Sequence, residues 1–217
     1  MEASKPFVLD SPSASASVAR SALDDRVLDA IRQANLSFLM LAGARAVVAG
    51  GKPVFGLAVP LAARIARLDA AGRAAAASCP YTLFNLAFED ARFWRSVVVD
   101  AHAPTLGSIA DEATLARTAV FLGWHLAQSN EVTAALALGM TPSAREAWRG
   151  LPLSALDRAA MAALPRLEAR WGAHARFWPR LLDAASEPFG ERVEAVRLLG
   201  LQLLAAGGMP ASPAPKA

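Results

Sequence analysis

Cysteine is nearly missing from this chain of 217 residues, where Cys79 stands alone. One thiol excludes an intrachain disulfide and a zinc site built on several cysteines. Cys79 reads as a small, partly buried apolar residue. Charge is scarce as well, at 19% of the residues. The balance of 22 Lys and Arg against 19 Asp and Glu leaves a net charge of +3. So small an excess does not specify a nucleic-acid partner. Uninterrupted apolar runs are short, because Arg45 breaks one and Gln128, Ser129, Asn130 and Glu131 break another. None reaches the ~18 residues that a membrane span needs. The opening Met1 to Pro6 has no basic segment followed by an apolar one, so no export signal is expected. With a single cysteine, that makes a cytoplasmic location the simplest expectation.

Patterns that would carry chemistry are missing too. His102, His125 and His174 each lack a second metal ligand three or four residues away, so no metal is expected. Gly50-Gly51-Lys52-Pro53 lacks the first glycine and the following Ser or Thr of a phosphate-binding loop. Nothing draws Ser, His and acidic residues into one place. No catalytic residue is assigned, no cofactor is expected, and the chain is not expected to be an enzyme.

What is abundant is apolar material: hydrophobic residues make up 54%. Much of that is alanine, the best helix former, while β-branched residues are sparse. The expected fold class is all-α. Val27, Ile31, Ala34, Phe38, Leu41 and Arg45 recur at steps of three and four, predicting a helix over 21–49 that Gly50-Gly51 ends. Shorter helices are predicted over 60–68, on to Ser78, and around Ala91-Arg92-Phe93-Trp94. The stretch 79–84 can be extended or a turn. After a linker over 104–108, with Ser108 as N-cap, a second long helix is predicted to run to Leu138, where Gly139 stops it. Thr141 caps a short helix over 142–149, and another starts near Leu153 after Gly150-Leu151-Pro152. Helices then continue to about Ala206.

The chain repeats itself. Ala91-Arg92-Phe93-Trp94 recurs unchanged as Ala175-Arg176-Phe177-Trp178, and Arg73-Ala74-Ala75 as Arg158-Ala159-Ala160. Leu41-Ala42 matches Leu126-Ala127, and Phe55 to Val59 matches Leu136 to Met140. A period near 84 residues is too long for a solenoid unit. It implies a duplicated helical unit whose copies pack as a pseudo-dimer. The expected organisation is a flexible arm (1–18), a first copy (19–103), a second copy (104–186), a C-terminal helix (187–206) and a flexible tail (207–217).

Ala34-Asn35-Leu36-Ser37-Phe38-Leu39-Met40-Leu41-Ala42 resembles the first helix of the flagellar transcriptional regulator FlhD family. The resemblance continues through Phe55, Leu57, Ala77-Ser78 and Phe88-Glu89-Asp90. In the second copy it runs through Leu138-Gly139-Met140-Thr141 and Leu151-Pro152-Leu153. Each copy would be about one family member long. In the second, Val120-Phe121-Leu122 stands near the place of the Asn-Leu-Ser stretch. The resemblance implies an all-helical transcription regulator of flagellum biogenesis. Such a protein acts as an activator with an FlhC-like partner and touches DNA in that complex. The alternative is a helical protein-interaction adaptor in a secretion or motility system, without DNA contact.

Two sets of residues follow. The segment from Thr141 through the helix at Leu153 has helix-turn-helix spacing, which would present Ser154 and Arg158 to a DNA groove and set Arg145 and Arg149 against phosphates. Asp157 opposes such a contact. Asn35, Phe38, Trp94 and Trp178 are candidates for a partner interface. Core packing is the competing reading for the aromatics.

Overall fold

The computed structural model describes residues 24–99, 110–186 and 191–207. The expected arm over 1–18, the Ser108 cap in the 104–108 linker and the tail beyond Gly207 lie outside the described residues. Within them the protein is all-α apart from one two-stranded ribbon.

The local chemistry sets most boundaries. Helix α1 (Asp25–Val48) starts where the Asp24 carboxylate accepts from the Arg26 N–H, 3.0 Å away, and it stops at Gly50 and Gly51, both at positive φ. Helix α2 (Val59–Arg67) has proline in its first turn, and α3 (Ala70–Ala77) is capped by Asp69, which accepts from Gly72 N–H. The ambiguous 79–84 stretch is irregular, with bends at Pro80, Tyr81 and Leu83, and leads into strand β1 (Phe84–Asn85), followed by α4 (Ala91–Val99).

The second half departs from expectation twice. The long helix predicted to reach Leu138 is two helices, α5 (Ala110–Ser129) and α6 (Glu131–Leu138). Asn130 separates them: its backbone is extended and its side chain accepts from the Thr133 N–H, so it begins a new helix. Gly139 then ends α6 in the left-handed conformation (φ 70°), which only glycine adopts without strain. Thr141 caps α7 (Pro142–Arg149) as predicted. The helix expected from Leu153 is first a 3₁₀ turn (Leu153–Ala155), and α8 begins at Leu156 (Leu156–Ala163). A further 3₁₀ turn (Leu164–Arg166), strand β2 (Glu168–Ala169), α9 (Phe177–Ala185) and α10 (Glu191–Gly207) complete the described chain.

Packing is reciprocal between the halves. Helix α1 packs on α2 and α3, and α5 packs on α7 and α8. Helix α4, carrying the first Ala-Arg-Phe-Trp, crosses to lie on α7 and α8 of the second half. Helix α9, carrying the second, crosses back onto α2 and α3. The strands pair antiparallel, Phe84 opposite Ala169 and Asn85 opposite Glu168. Ala87 and Trp171, 84 positions apart, are both left-handed (φ 56° and 55°). One buried apolar cluster runs through both halves. Its largest members, Trp94, Trp148 and Trp178, are each fully buried. Each ring removes on the order of 200 Å² from water, about 5 kcal/mol at 25 cal/mol/Å² before conformational entropy is subtracted.

Helix α10 closes the structure over Tyr81 by packing on α9 and α6. The Tyr81 hydroxyl donates to the Val196 carbonyl at 3.2 Å. Gly200 allows the approach, since a Cβ there would lie 1.9 Å from the Tyr81 oxygen. Gly200→Ala should therefore lower the urea unfolding free energy by about 1–3 kcal/mol, the usual cost of overpacking. An unchanged unfolding midpoint would show that α10 is not seated on Tyr81.

Candidate functional site

Asn35 sits on the buried face of α1 with no exposed surface. Its side-chain amide donates to the carbonyls of Ala77 (3.2 Å), Cys79 (3.4 Å) and Tyr81 (2.9 Å). Its carbonyl oxygen accepts from the Leu83 N–H at 2.7 Å. Helix α3 has ended at Ala77, and one buried side chain thus satisfies backbone groups of the irregular stretch that follows. Phe38, one turn along the same face, meets Phe84 and Trp178 at ring separations of 5.4 and 6.4 Å. Trp94 lies against Trp148 (3.8 Å between centroids), and its indole N–H donates to the Ala87 carbonyl at 2.7 Å. The Trp178 indole donates to the Arg170 carbonyl at 2.9 Å. Asn35, Phe38, Trp94 and Trp178 are all 0% exposed. These four candidates for a partner interface thus lie inside the chain, where Phe38, Trp94 and Trp178 pack across its two halves and Asn35 binds backbone of its own half. Phe93 alone of the repeated aromatics is partly exposed, and the Arg166 guanidinium covers its ring at 4.1 Å.

The α7–α8 corner carries the other candidates. Both helices turn their apolar faces inward, with Ala144, Ala147 and Trp148 buried from α7, and Leu156, Ala159, Ala160 and Ala163 from α8. Arg149, Ser154 and Arg158 are left exposed. The connection between the helices spans 150–155, longer than the expected turn, and Ser154 stands on its 3₁₀ part instead of on the second helix. Arg145 is held by the fold: its Nε donates to the Ala127 carbonyl at 3.1 Å and its NH1 pairs with Glu131 at 2.8 Å. Asp157 is paired with Arg117 from α5 at 2.6 Å, which offsets the negative charge that sequence places on this face. Among the described residues, no ion pair engages Arg149 or Arg158. Sequence spacing does not identify Arg117, because its proximity to α8 arises only from packing.

One further surface stands out. Met40, Ala44, Val47 and Val48 form an exposed stripe on α1, with Val47 77% exposed. At the end of α1, Arg45 leaves the apolar pattern to pair with Glu112 of α5. Cys79 is buried, and burial pushes its thiol up to about 11, so the group is held as an unreactive thiol. No group of three or more His, Cys, Asp or Glu among the described residues is placed to hold a metal ion. Nor is any described helix long and apolar enough to cross a membrane.

The two Ala-Arg-Phe-Trp helices are capped at matching positions by different chemistry. Asp90 accepts from the Arg92 and Phe93 N–H groups, and His174 Nδ1 accepts from Arg176 and Phe177 N–H. The bond from the Phe93 N–H holds the Asp90 carboxyl below its usual range, with Arg166 at 3.1 Å adding to the effect against the opposing cost of burial. A lowered folded-state value contributes stability above the unfolded value of about 3.9, and that contribution is lost as pH falls through the folded value. Asp90→Asn keeps a capping oxygen and removes the charge. It should cost a few tenths to about 1 kcal/mol at pH 7, and the deficit should shrink below about pH 4. Chemical unfolding at both pH values checks this, and a deficit independent of pH would refute the charge's role. No protein-family model, no curated protein and no solved structure matches this chain.

Proposed function

We propose that this protein is a transcription regulator resembling the FlhD subunit of the flagellar activator, working as a pseudo-dimer within one chain and meeting DNA through a partner protein of FlhC-like type. The observation that carries the DNA part of the reading is the exposed face of α7 and α8. There Arg149 and Arg158 have no acidic partner among the described residues and Asp157 is neutralised by Arg117. Phosphate contacts of this kind supply affinity without sequence information, which leaves base reading to a partner. The sequence resemblance over residues 34–42 supports the family assignment, and the Asn35 hydrogen bonds give that motif a structural reason.

The adaptor reading has its own supporting observation in the apolar stripe of Met40, Ala44, Val47 and Val48, a face of the kind that a helical partner covers. Promoter binding separates the two readings.

In a gel shift, the regulator reading expects a band that requires a co-expressed FlhC-like partner and weakens as salt is raised. Arg149→Ala with Arg158→Ala should weaken that band by at least about tenfold, at roughly one decade per 1.4 kcal/mol lost. No shift with folded protein, alone or with partner, would leave the adaptor reading in place. Because the two halves already cover one another, light scattering should report one chain, 22.7 kDa. A high-order ring would overturn the pseudo-dimer.

A further inference from the structure

Arg170 is the one buried charged residue among the described residues, at 7% exposed. Its NH2 donates to the Leu138 carbonyl at 2.7 Å, while its NH1 is buried and has no partner. The guanidinium stands 5.7 Å from the Trp171 ring and 5.9 Å from Phe88. Burial lowers its pKa to about 10, so it remains a cation at neutral pH. A buried cation with an open N–H is costly unless an anion or polar group meets it. Arg170 lies on a cavity of about 300 Å³. A water occupies ~30 Å³ in the liquid, so this space greatly exceeds what one bridging water fills. Gly139 keeps the approach open: a Cβ there would sit 3.4 Å from NH1.

The rest of the cavity is not shaped for a simple anion. Leu203 and Leu204 form an apolar wall, and the exposed carboxylates of Glu89 and Glu168 stand at the rim. Two acids there would repel phosphate or a dicarboxylate, and would attract an ammonium group. We propose that this cavity binds a free α-amino acid with an aliphatic side chain. Its carboxylate would meet Arg170 NH1, its ammonium Glu89 and Glu168, and its side chain Leu203 and Leu204. The cavity joins β1, β2, the α6–α7 turn and α10. Occupancy would therefore hold both halves and the C-terminal helix together.

Isothermal titration of the full chain with L-leucine tests this, alongside 4-methylpentanoate, which lacks the ammonium, and isoamylamine, which lacks the carboxylate. Saturable leucine binding is expected, with each analogue at least tenfold weaker. Arg170→Met, which replaces the cation with an apolar side chain of similar length, should weaken leucine binding at least tenfold. Should that variant fail to fold, the double variant Glu89→Gln, Glu168→Gln alters only exposed positions. It should weaken leucine without weakening 4-methylpentanoate, whose carboxylate the two acids repel. Absence of saturable leucine binding at millimolar concentration would overturn the proposal. So would 4-methylpentanoate binding as tightly as leucine, or leucine binding unchanged in the folded variants.

Discussion

The structure depends on the crossing of two helices. Helices α4 and α9 each leave the half of the chain that encodes them and bury a tryptophan against the other half. Trp94 closes on Trp148, while Trp178 reaches Phe38. Neither half can satisfy its own apolar surface without the other, since the face left open by one is filled by the helix of its counterpart. The short ribbon between Phe84–Asn85 and Glu168–Ala169 lies at the crossing and aligns the two connections. A two-residue ribbon is too small to be stable by itself. It forms because the helices on either side hold its strands in register.

The crossing requires a non-helical stretch before each helix, and the two halves meet that requirement differently. In the first, α3 stops and the chain bends irregularly from Ser78 to Leu83, with Asn35 bonded to the carbonyls of Ala77, Cys79 and Tyr81 and to the Leu83 N–H. In the second, Val120 occupies the corresponding region of α5, and no side-chain amide is available there. The chain takes a 3₁₀ turn over Leu164–Arg166, which supplies local hydrogen bonds, as from the Leu167 N–H to the Leu164 carbonyl at 3.0 Å. An amide clamp and a tight turn are alternative answers to one problem, that a backbone leaving a helix inside a core must find partners. Asn35 is thus explained by folding chemistry alone.

The charges follow a similar division. Arg45–Glu112, Arg64–Asp183 and Arg166–Asp90 each tie one half to the other. Such partly exposed pairs contribute little energy, about 0–1 kcal/mol each. They do direct which surfaces meet. Arg149 and Arg158 stand apart from this pairing, and Arg170 differs from all of them in being enclosed. The arginines that hold the fold and those available to another molecule separate by position, although composition treats them alike.

Much of the architecture was legible without coordinates. The three- and four-residue steps from Val27 to Leu41 predicted α1, Thr141-Pro142 predicted the start of α7, and Gly139 the end of α6, because helical periodicity and caps act within a turn or two of chain. The break at Asn130 is not legible in the same way: Gln128 to Glu131 interrupt the apolar run, but an N-cap asparagine differs from a helix-interior one only in backbone angle. The candidate site was less legible. The α7–α8 arginines could be named from spacing, but the commitment of Arg145 to Ala127 and Glu131 and the neutralisation of Asp157 by Arg117 could not. By itself the sequence determined that the chain is helical, where most helices begin and end, and that two segments repeat, since these properties are local or periodic. Only the tertiary structure decided that the repeated helices exchange places, that Asn35 serves the backbone, and that Arg170 is enclosed with an open N–H. Those outcomes depend on contacts between residues far apart in the chain, and such contacts leave no period in it.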